Sequence, residues 1–182
     1  MRIISGEFKG RRFTPPAKHW PTRPTTDVAK EGLFNILQNK IDFDEAKMLD
    51  LFGGTGSHCY EFISRGCEDV TYVDQFYPAV QFVQKIAFEL KIDNKIKIVK
   101  SDVFKFIDFI NDKFTYIFAG PPYPLKNLDA IPDVIFNKGL LAENGIFVLE
   151  HNPDHNFKNH KNYVEERIYG TTIFSFFKNN DQ

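Results

Sequence analysis

The chain has 182 residues and a mass of 21.1 kDa, which suits a single domain burying about 70% of the surface its unfolded form would expose. Hydrophobic residues make up 42% and charged residues 26%, and no apolar run exceeds four residues against the ~20 that span a bilayer, so membrane-spanning and disordered classes are excluded. The net charge of −1 hides a segregation: residues 1–24 hold Arg2, Lys9, Arg11, Arg12, Lys18 and Arg23 against Glu7, a local balance of +5 that leaves −6 on the other 158 residues. A basic arm on an acidic body suits a protein that meets phosphates with one surface, although a solvated terminus would carry the same charges. The opening MRIISGEFKG has no signal-peptide stretch, and Cys59 and Cys67 supply neither a disulfide framework nor a zinc set, so a cytoplasmic location is expected.

In chain order, Arg2–Ile4 and Arg11–Phe13 read as short strands around Gly6 to Gly10, a hairpin arm. The Pro-rich stretch 15–24 reads as a linker, which divides the single domain into arm and linker (1–24) and body (25–182). Asp27 sits in a favourable first-turn position, and Ala29, Leu33, Ile36 and Leu37 recur at helical spacing, predicting a helix over 27–39. From there strands at Lys47–Phe52, Val70–Asp74, Ile96–Lys100, Phe114–Ala119 and Gly145–Glu150 alternate with helices over 57–65, 76–90, 103–111 and 127–138. Phe76, Ala79, Val80, Val83, Ile86, Ala87 and Leu90 form one apolar stripe against a sheet. Such alternation implies an α/β fold with parallel strands, right-handed crossovers and helices on both faces. Tyr163–Tyr169 and Thr171–Phe177 lie too close together for a crossover, so they are expected to form an antiparallel hairpin at the edge of a seven-stranded, mostly parallel sheet.

The first strand runs into Asp50-Leu51-Phe52-Gly53-Gly54-Thr55-Gly56 and then a helix, an arrangement in which glycines let a nucleotide approach the backbone. A dinucleotide fingerprint fails at Cys59, and no Gly-Lys-Ser/Thr phosphate loop is present. A carboxylate at Asp50 would repel a pyrophosphate but suits a ligand with an ammonium and a sulfonium, as in S-adenosylmethionine. Asp74 ends the second strand 24 residues later, where an acid can accept from both ribose hydroxyls. Asp102, before Val103 at the end of the third strand, can accept from an adenine amine or cap the following helix. The fourth strand ends Ala119-Gly120-Pro121-Pro122-Tyr123, a stiff turn lacking two backbone donors. His58, His151, His155 and His160 show no ligand spacing, so no metal site is expected, and Ser57 has no nucleophile elbow around it.

Gly120-Pro121-Pro122-Tyr123 resembles the (Asn/Asp/Ser)-Pro-Pro-(Tyr/Phe) motif of methyltransferases that act on exocyclic amines of nucleobases and on glutamine amides. In that family the first side chain and a proline carbonyl accept hydrogen bonds from the amine while the aromatic stacks on the base. Arg2-Ile3-Ile4-Ser5-Gly6-Glu7-Phe8-Lys9-Gly10-Arg11-Arg12, Arg23-Pro24-Thr25-Thr26-Asp27 and Leu33-Phe34-Asn35 are similar to the bacterial 16S ribosomal RNA guanine-N2 methyltransferases of the RsmD type, and with Asp50–Gly56, Arg65-Gly66 and Pro-Pro-Tyr the similarity spans about residues 1–150. The resemblance implies a Rossmann-like class I methyltransferase fold. It also implies S-adenosylmethionine as cofactor, held by Arg23, Thr25, Asp50, Phe52, Gly54, Gly56, Asp74, Asp102 and Val103, with the Arg23–Asp27 segment closing over its methionine end. Gly120, Pro121, Pro122 and Tyr123 would hold the amine. An arm carrying Arg2, Lys9, Arg11 and Arg12 would grip 16S rRNA or the assembling small subunit, and the enzyme would be a monomer.

Gly120 departs from the family, which carries an acidic residue there. Losing one charge-assisted acceptor in a buried site costs ~2–4 kcal/mol, which predicts a rate about 10²- to 10³-fold lower. Two other readings stay open: a cofactor-binding RNA or ribosome assembly factor with little or no catalysis, and an adenine-N6 methyltransferase acting on DNA or RNA.

Overall fold

The computed structural model describes residues 1–16, 20 and 25–180. Five parallel strands, β1 (Lys47–Leu51), β2 (Asp69–Asp74), β3 (Ile96–Lys100), β4 (Phe114–Ala119) and β5 (Leu141–His151), are joined by helices α2 (Ser57–Ser64), α3 (Tyr77–Leu90), α4 (Val103–Phe109) and α5 (Ile131–Lys138), with α1 (Asp27–Leu37) preceding them. The chain then turns back through β6 (Tyr163–Tyr169) and β7 (Thr172–Phe177), both antiparallel to their neighbours, giving one seven-stranded sheet in the order β3-β2-β1-β4-β5-β7-β6. This is the expected α/β architecture with its antiparallel edge hairpin. The apolar faces of α1, α2 and α3 pack on one side of the sheet around Leu33, Phe62 and Val83, and those of α4 and α5 pack on the other around Ile107 and Ile135.

Several predicted boundaries move for local reasons. The helix predicted over 127–138 divides into a single 3-10 turn, Leu128–Ala130, and α5, because Pro132 has no N–H to give to an earlier carbonyl and suits only a first helical turn. The strand predicted at Gly145–Glu150 begins earlier, at Leu141, which pairs with Phe114 before the register jumps to Tyr116↔Ile146.

The arm forms a single antiparallel bridge, Arg2↔Arg12, with flanking bonds from Ile3 N to Arg11 O, Gly10 N to Ile3 O and Phe13 N to Met1 O. The two short strands expected there do not extend further, because the donors of the turn point to α2 instead. Ile4 N donates to Glu61 Oε2 at 2.8 Å, Ser5 N to Glu61 Oε1 at 3.0 Å, and Phe8 N to Ser64 Oγ at 2.9 Å. Glu7 N reaches the Ser64 carbonyl at 2.7 Å. Gly6 adopts φ +80°, and a Cβ there would stand 1.7 Å from the Ser64 carbonyl oxygen, so only glycine permits this approach.

Glu61 itself is fully buried. Its Oε1 also accepts from Arg65 Nε at 3.0 Å, and Lys30 Nζ lies 3.7 Å from Oε2 while donating to the Arg2 carbonyl and to Ser57 Oγ. Glu61→Ala should therefore lose ~3–5 kcal/mol, since it strands the buried Lys30 ammonium and two arm amides. Urea unfolding measures the loss. Trypsin should then cut at Arg11 and Arg12 before it attacks the body; an unchanged unfolding midpoint would show that the network holds nothing.

Candidate active site

In the sheet register Leu51 pairs with Ala119, so the chain leaving β1 and the chain leaving β4 emerge side by side. The helices that follow those strands lie on opposite faces, which makes this the switch point where open α/β sheets leave a crevice. A cavity of about 240 Å³ opens there, lined by Thr25, Lys30, Asp50, Phe52–Thr55, Ser57, His58, Phe118, Gly120–Pro124 and Glu150. The expected residues Thr25, Asp50, Phe52, Gly54 and Gly120 to Tyr123 thus meet in one place.

The loop after β1 alternates into the left-handed region at Phe52 (φ 59°), Gly54 (52°) and Gly56 (75°). A phenylalanine in that conformation is strained and must be held by its surroundings. Gly53 N donates to the Val73 carbonyl, Gly54 N to Asp74 Oδ2 at 2.9 Å, and the Tyr72 hydroxyl to the Gly54 carbonyl at 2.7 Å. A Cβ on Gly53 would press into the Tyr72 ring at 2.4 Å. Asp74 therefore shapes the loop, its Oδ1 also accepting from Phe76 N at 2.8 Å, with the Gln75 backbone N–H a third donor to the same carboxylate.

Asp50 is 1% exposed; Cys59 Sγ donates to its Oδ2 at 3.1 Å, and its Oδ1 has no partner among the described residues. Burial, with the charges of Asp74 and Glu150 adding to it against the thiol's hydrogen bond, pushes the Asp50 carboxyl up from 3.8 to about 7. A buried carboxyl with one unpartnered oxygen, on a residue that lines a cavity, is suited to a cationic ligand group.

Four expected cofactor residues lie outside this cavity's lining: Gly56, Asp74 and, just after β3, Asp102 and Val103; Asp102 caps α4 by accepting from Lys105 N at 3.0 Å. Gly56 caps α2 with its backbone in the left-handed region. Arg23 lies outside the described residues. In the arm, Lys9, Arg11 and Arg12 are exposed, whereas Arg2 has its carbonyl on Lys30 and its guanidinium 3.7 Å from Glu31. Arg2 and Lys9 border a separate groove with Asn35, Gln38 and Arg65.

Three cavity residues were not anticipated. Glu150, 5% exposed at the end of β5, accepts from the Tyr123 hydroxyl at 3.0 Å and from the Thr25 hydroxyl. Burial raises its carboxyl, and those two donors act against the rise. Its signal was a carboxylate closing an apolar strand run, the same signal that marks Asp50 and Asp74. Lys30 is a cation on the buried side of α1. His58 stacks on Phe118 with ring centres 3.9 Å apart, and its Nε2 lies 2.9 Å from the Tyr116 hydroxyl. Burial holds its pKa well below the ordinary value, so the ring is neutral at pH 7 and works as a packed wall.

The profile of the family described as "Conserved hypothetical protein 95" matches residues 1–178. The "Putative rRNA methyltransferase YlbH" of Bacillus subtilis is 35% identical over 154 residues, covering 83% of this chain and 82% of that protein. "Ribosomal RNA small subunit methyltransferase D" of Haemophilus influenzae is 24% identical over 98% of this chain and 94% of its own length. Among solved structures, the Thermus thermophilus 16S rRNA N2 methyltransferase RsmC, determined with AdoMet and guanosine, superimposes with a TM-score of 0.67 at 20% identity. It covers 86% of this chain and 44% of that one, a likeness of fold.

The folded state prefers Asp50 neutral, so its contribution to stability is complete below pH ~4 and is lost as pH rises through about 7. Asp50→Asn should thus gain on the parent between pH 5 and 8, the difference growing to on the order of 4 kcal/mol in ligand-free protein. Unfolding midpoints across that range measure it; parallel curves would show Asp50 to be ionised throughout.

Proposed function

Because the chain belongs to the conserved hypothetical protein 95 family, the RsmD-type rRNA methyltransferases, we propose that it methylates the exocyclic N2 amine of a guanine in 16S ribosomal RNA using S-adenosylmethionine. The observation that carries this reading is the meeting, in one cavity, of the acid-and-glycine loop after β1 with the Pro-Pro-Tyr turn after β4. S-adenosylmethionine supplies a methyl group made electrophilic by its sulfonium. The residues present suit it: Asp50 would hold the ammonium, Asp74 beside the cavity would accept from the ribose hydroxyls, and the Gly53–Gly54 turn would let the ligand approach the backbone. Phe52 and Val103 would flank the adenine, Asp102 would accept from its amine with the oxygen not used in capping, and Thr25 would close the methionine end.

An amine conjugated to a purine is a poor nucleophile, so its orientation decides the rate. Pro121 and Pro122 cannot donate and have fixed φ, which holds the Gly120 and Pro121 carbonyls as acceptors for the amine's hydrogens, while the Pro122 carbonyl is taken by Leu125 N at 2.9 Å. Tyr123, positioned by Glu150, presents a ring on which a base lifted out of its helix can stack. The exposed Lys9, Arg11 and Arg12 meet backbone phosphates and carry no sequence information. The acidic body keeps other nucleic-acid contacts weak. The substrate is the assembling small subunit in the cytoplasm, and the protein acts as a monomer.

Small subunits reconstituted on an unmodified 16S transcript and incubated with labelled S-adenosylmethionine should acquire one N2-methylguanine, located by mass spectrometry of nuclease fragments. Methyl on adenine N6 would replace this reading with the adenine enzyme, and cofactor binding without transfer would replace it with the assembly factor.

The arm has its own signature. Replacing Lys9, Arg11 and Arg12 together by Ala should weaken binding to unrelated RNAs alike and flatten the slope of log affinity against log salt by about 2–3, as fewer counterions are released. An unchanged slope in filter-binding titrations would leave the arm a purely structural hairpin.

A further inference from the structure

The turn after β4 offers no side chain to an amine, yet a carboxylate reaches the same spot from the neighbouring strand. Ala119 pairs with Leu149 in the β4–β5 register, so Gly120 and Glu150 each follow a paired residue at the same level of the sheet. A Cβ built on Gly120 would lie 4.0 Å from Glu150 Oε2. An aspartate at 120 would therefore bring its own carboxylate into the space beside the one Glu150 already holds.

The Glu150 side chain is also held as an acceptor. Its Oε1 accepts from the Tyr123 hydroxyl and its Oε2 from the Thr25 hydroxyl, which fixes the carboxylate plane and leaves each oxygen a further acceptor position. Both of these partners are hydroxyls, and neither is a cation. Glu150 and Tyr123 line the main cavity and also a second one of about 200 Å³, bounded on its far side by Tyr169 and Thr171. The carboxylate thus stands between the space assigned to the cofactor and a separate space, beside the aromatic ring on which the base would stack.

We propose that Glu150 is the side-chain acceptor for the target amine, supplying from β5 what an acidic residue before Pro-Pro would supply from the β4 turn. The inference rests on the amine-methyltransferase reading above. The new N–C bond forms from the nitrogen lone pair as the methyl–sulfur bond breaks, its electron pair returning to sulfur. The methylated nitrogen then sheds one N–H proton along its hydrogen bond to the Glu150 carboxylate, which passes it to water. A buried carboxylate whose donors among the described residues are two hydroxyls is basic enough to take that proton. With the acceptor moved to β5, the 10²- to 10³-fold deficit expected from Gly120 alone does not arise.

The test moves the carboxylate. Single-turnover methylation of small subunits reconstituted on an unmodified 16S transcript should fall ~10²-fold or more in Glu150→Gln, an isosteric change, with S-adenosylhomocysteine affinity and melting temperature close to the parent's. Gly120 is outside the left-handed region, and the neighbour tightest to an added Cβ is the Phe118 ring edge at 3.2 Å, so aspartate fits with a small shift. Gly120→Asp in the Glu150→Gln background should restore at least ~10-fold of the lost rate. Should Glu150→Gln not fold, Glu150→Asp with and without Gly120→Asp gives the same comparison. A Glu150→Gln rate equal to the parent's, a loss that Gly120→Asp does not repair, or a gain of 10²-fold from Gly120→Asp alone would each overturn the proposal. A parent that binds S-adenosylhomocysteine but methylates no base removes the amine-transfer reading itself, an outcome visible before any variant is made.

Discussion

The buried carboxylate of Glu61 is the point to which the amino-terminal third of the chain is tied. It takes two arm amides, the Arg65 guanidinium and the neighbourhood of the Lys30 ammonium, and so joins arm, α1 and α2. An isolated ion buried in this way would be costly; hydrogen bonds from Ile4, Ser5 and Arg65, with the Lys30 ammonium 3.7 Å away, are what make it tolerable. Lys30 extends the connection through Ser57 to the start of α2, directly after the glycine loop. Because α1 begins at Asp27, the same tie fixes where Thr25 enters and meets Glu150 across the cavity. The placement of the arm and the shape of the site therefore share one cause.

The cavity concentrates negative charge where the sheet can least solvate it. Asp50, Asp74 and Glu150 end three of the parallel strands, and burial is the first cause of the upward shift in each. Each is restrained differently: Asp50 by a thiol, Asp74 by backbone amides, Glu150 by two hydroxyls. Among the described residues no cation hydrogen-bonds directly to any of the three, which suits positive or hydrogen-donating groups better than phosphates. Lys30, the cation lining the cavity, is already committed to Glu61, Ser57 and a carbonyl.

The alternation of apolar runs with helical stripes was enough to reach the sheet, its parallel core and its antiparallel ending, because each depends on local periodicity and on connection length. Asp50 and Asp74 were legible for the same reason, as lone acids at the ends of apolar strands beside glycines. Glu150 carries an equal local signal, but its meaning depends on β5 lying next to β4 in register, a tertiary fact. Glu61 and Lys30 were opaque because charges on short helices are ordinarily solvated, and only the approach of the arm at Gly6 buries them. The arm's strands were overcalled because alternation cannot reveal that the turn's donors have partners on another element. Asp102 was open to two readings that do not exclude each other, since the cap on α4 uses one of its two oxygens.

The strand order has a further consequence for solution behaviour. The two outermost strands, β3 and β6, present unpaired ladder groups to solvent, and an unguarded edge invites foreign strands to add on. On β3 the exposed Lys97 and Lys100 flank the half-buried Ile98 and Val99; on β6, Glu165, Glu166 and Arg167 stand in a row, braced by Lys40 and Lys158. A segment arriving at either rim would have to strip water from these ions to pair. The aromatic-rich β7, whose Phe174, Phe176 and Phe177 would make a sticky margin, is shielded between β5 and β6, so the antiparallel return of the chain insulates the most aggregation-prone ribbon in the molecule.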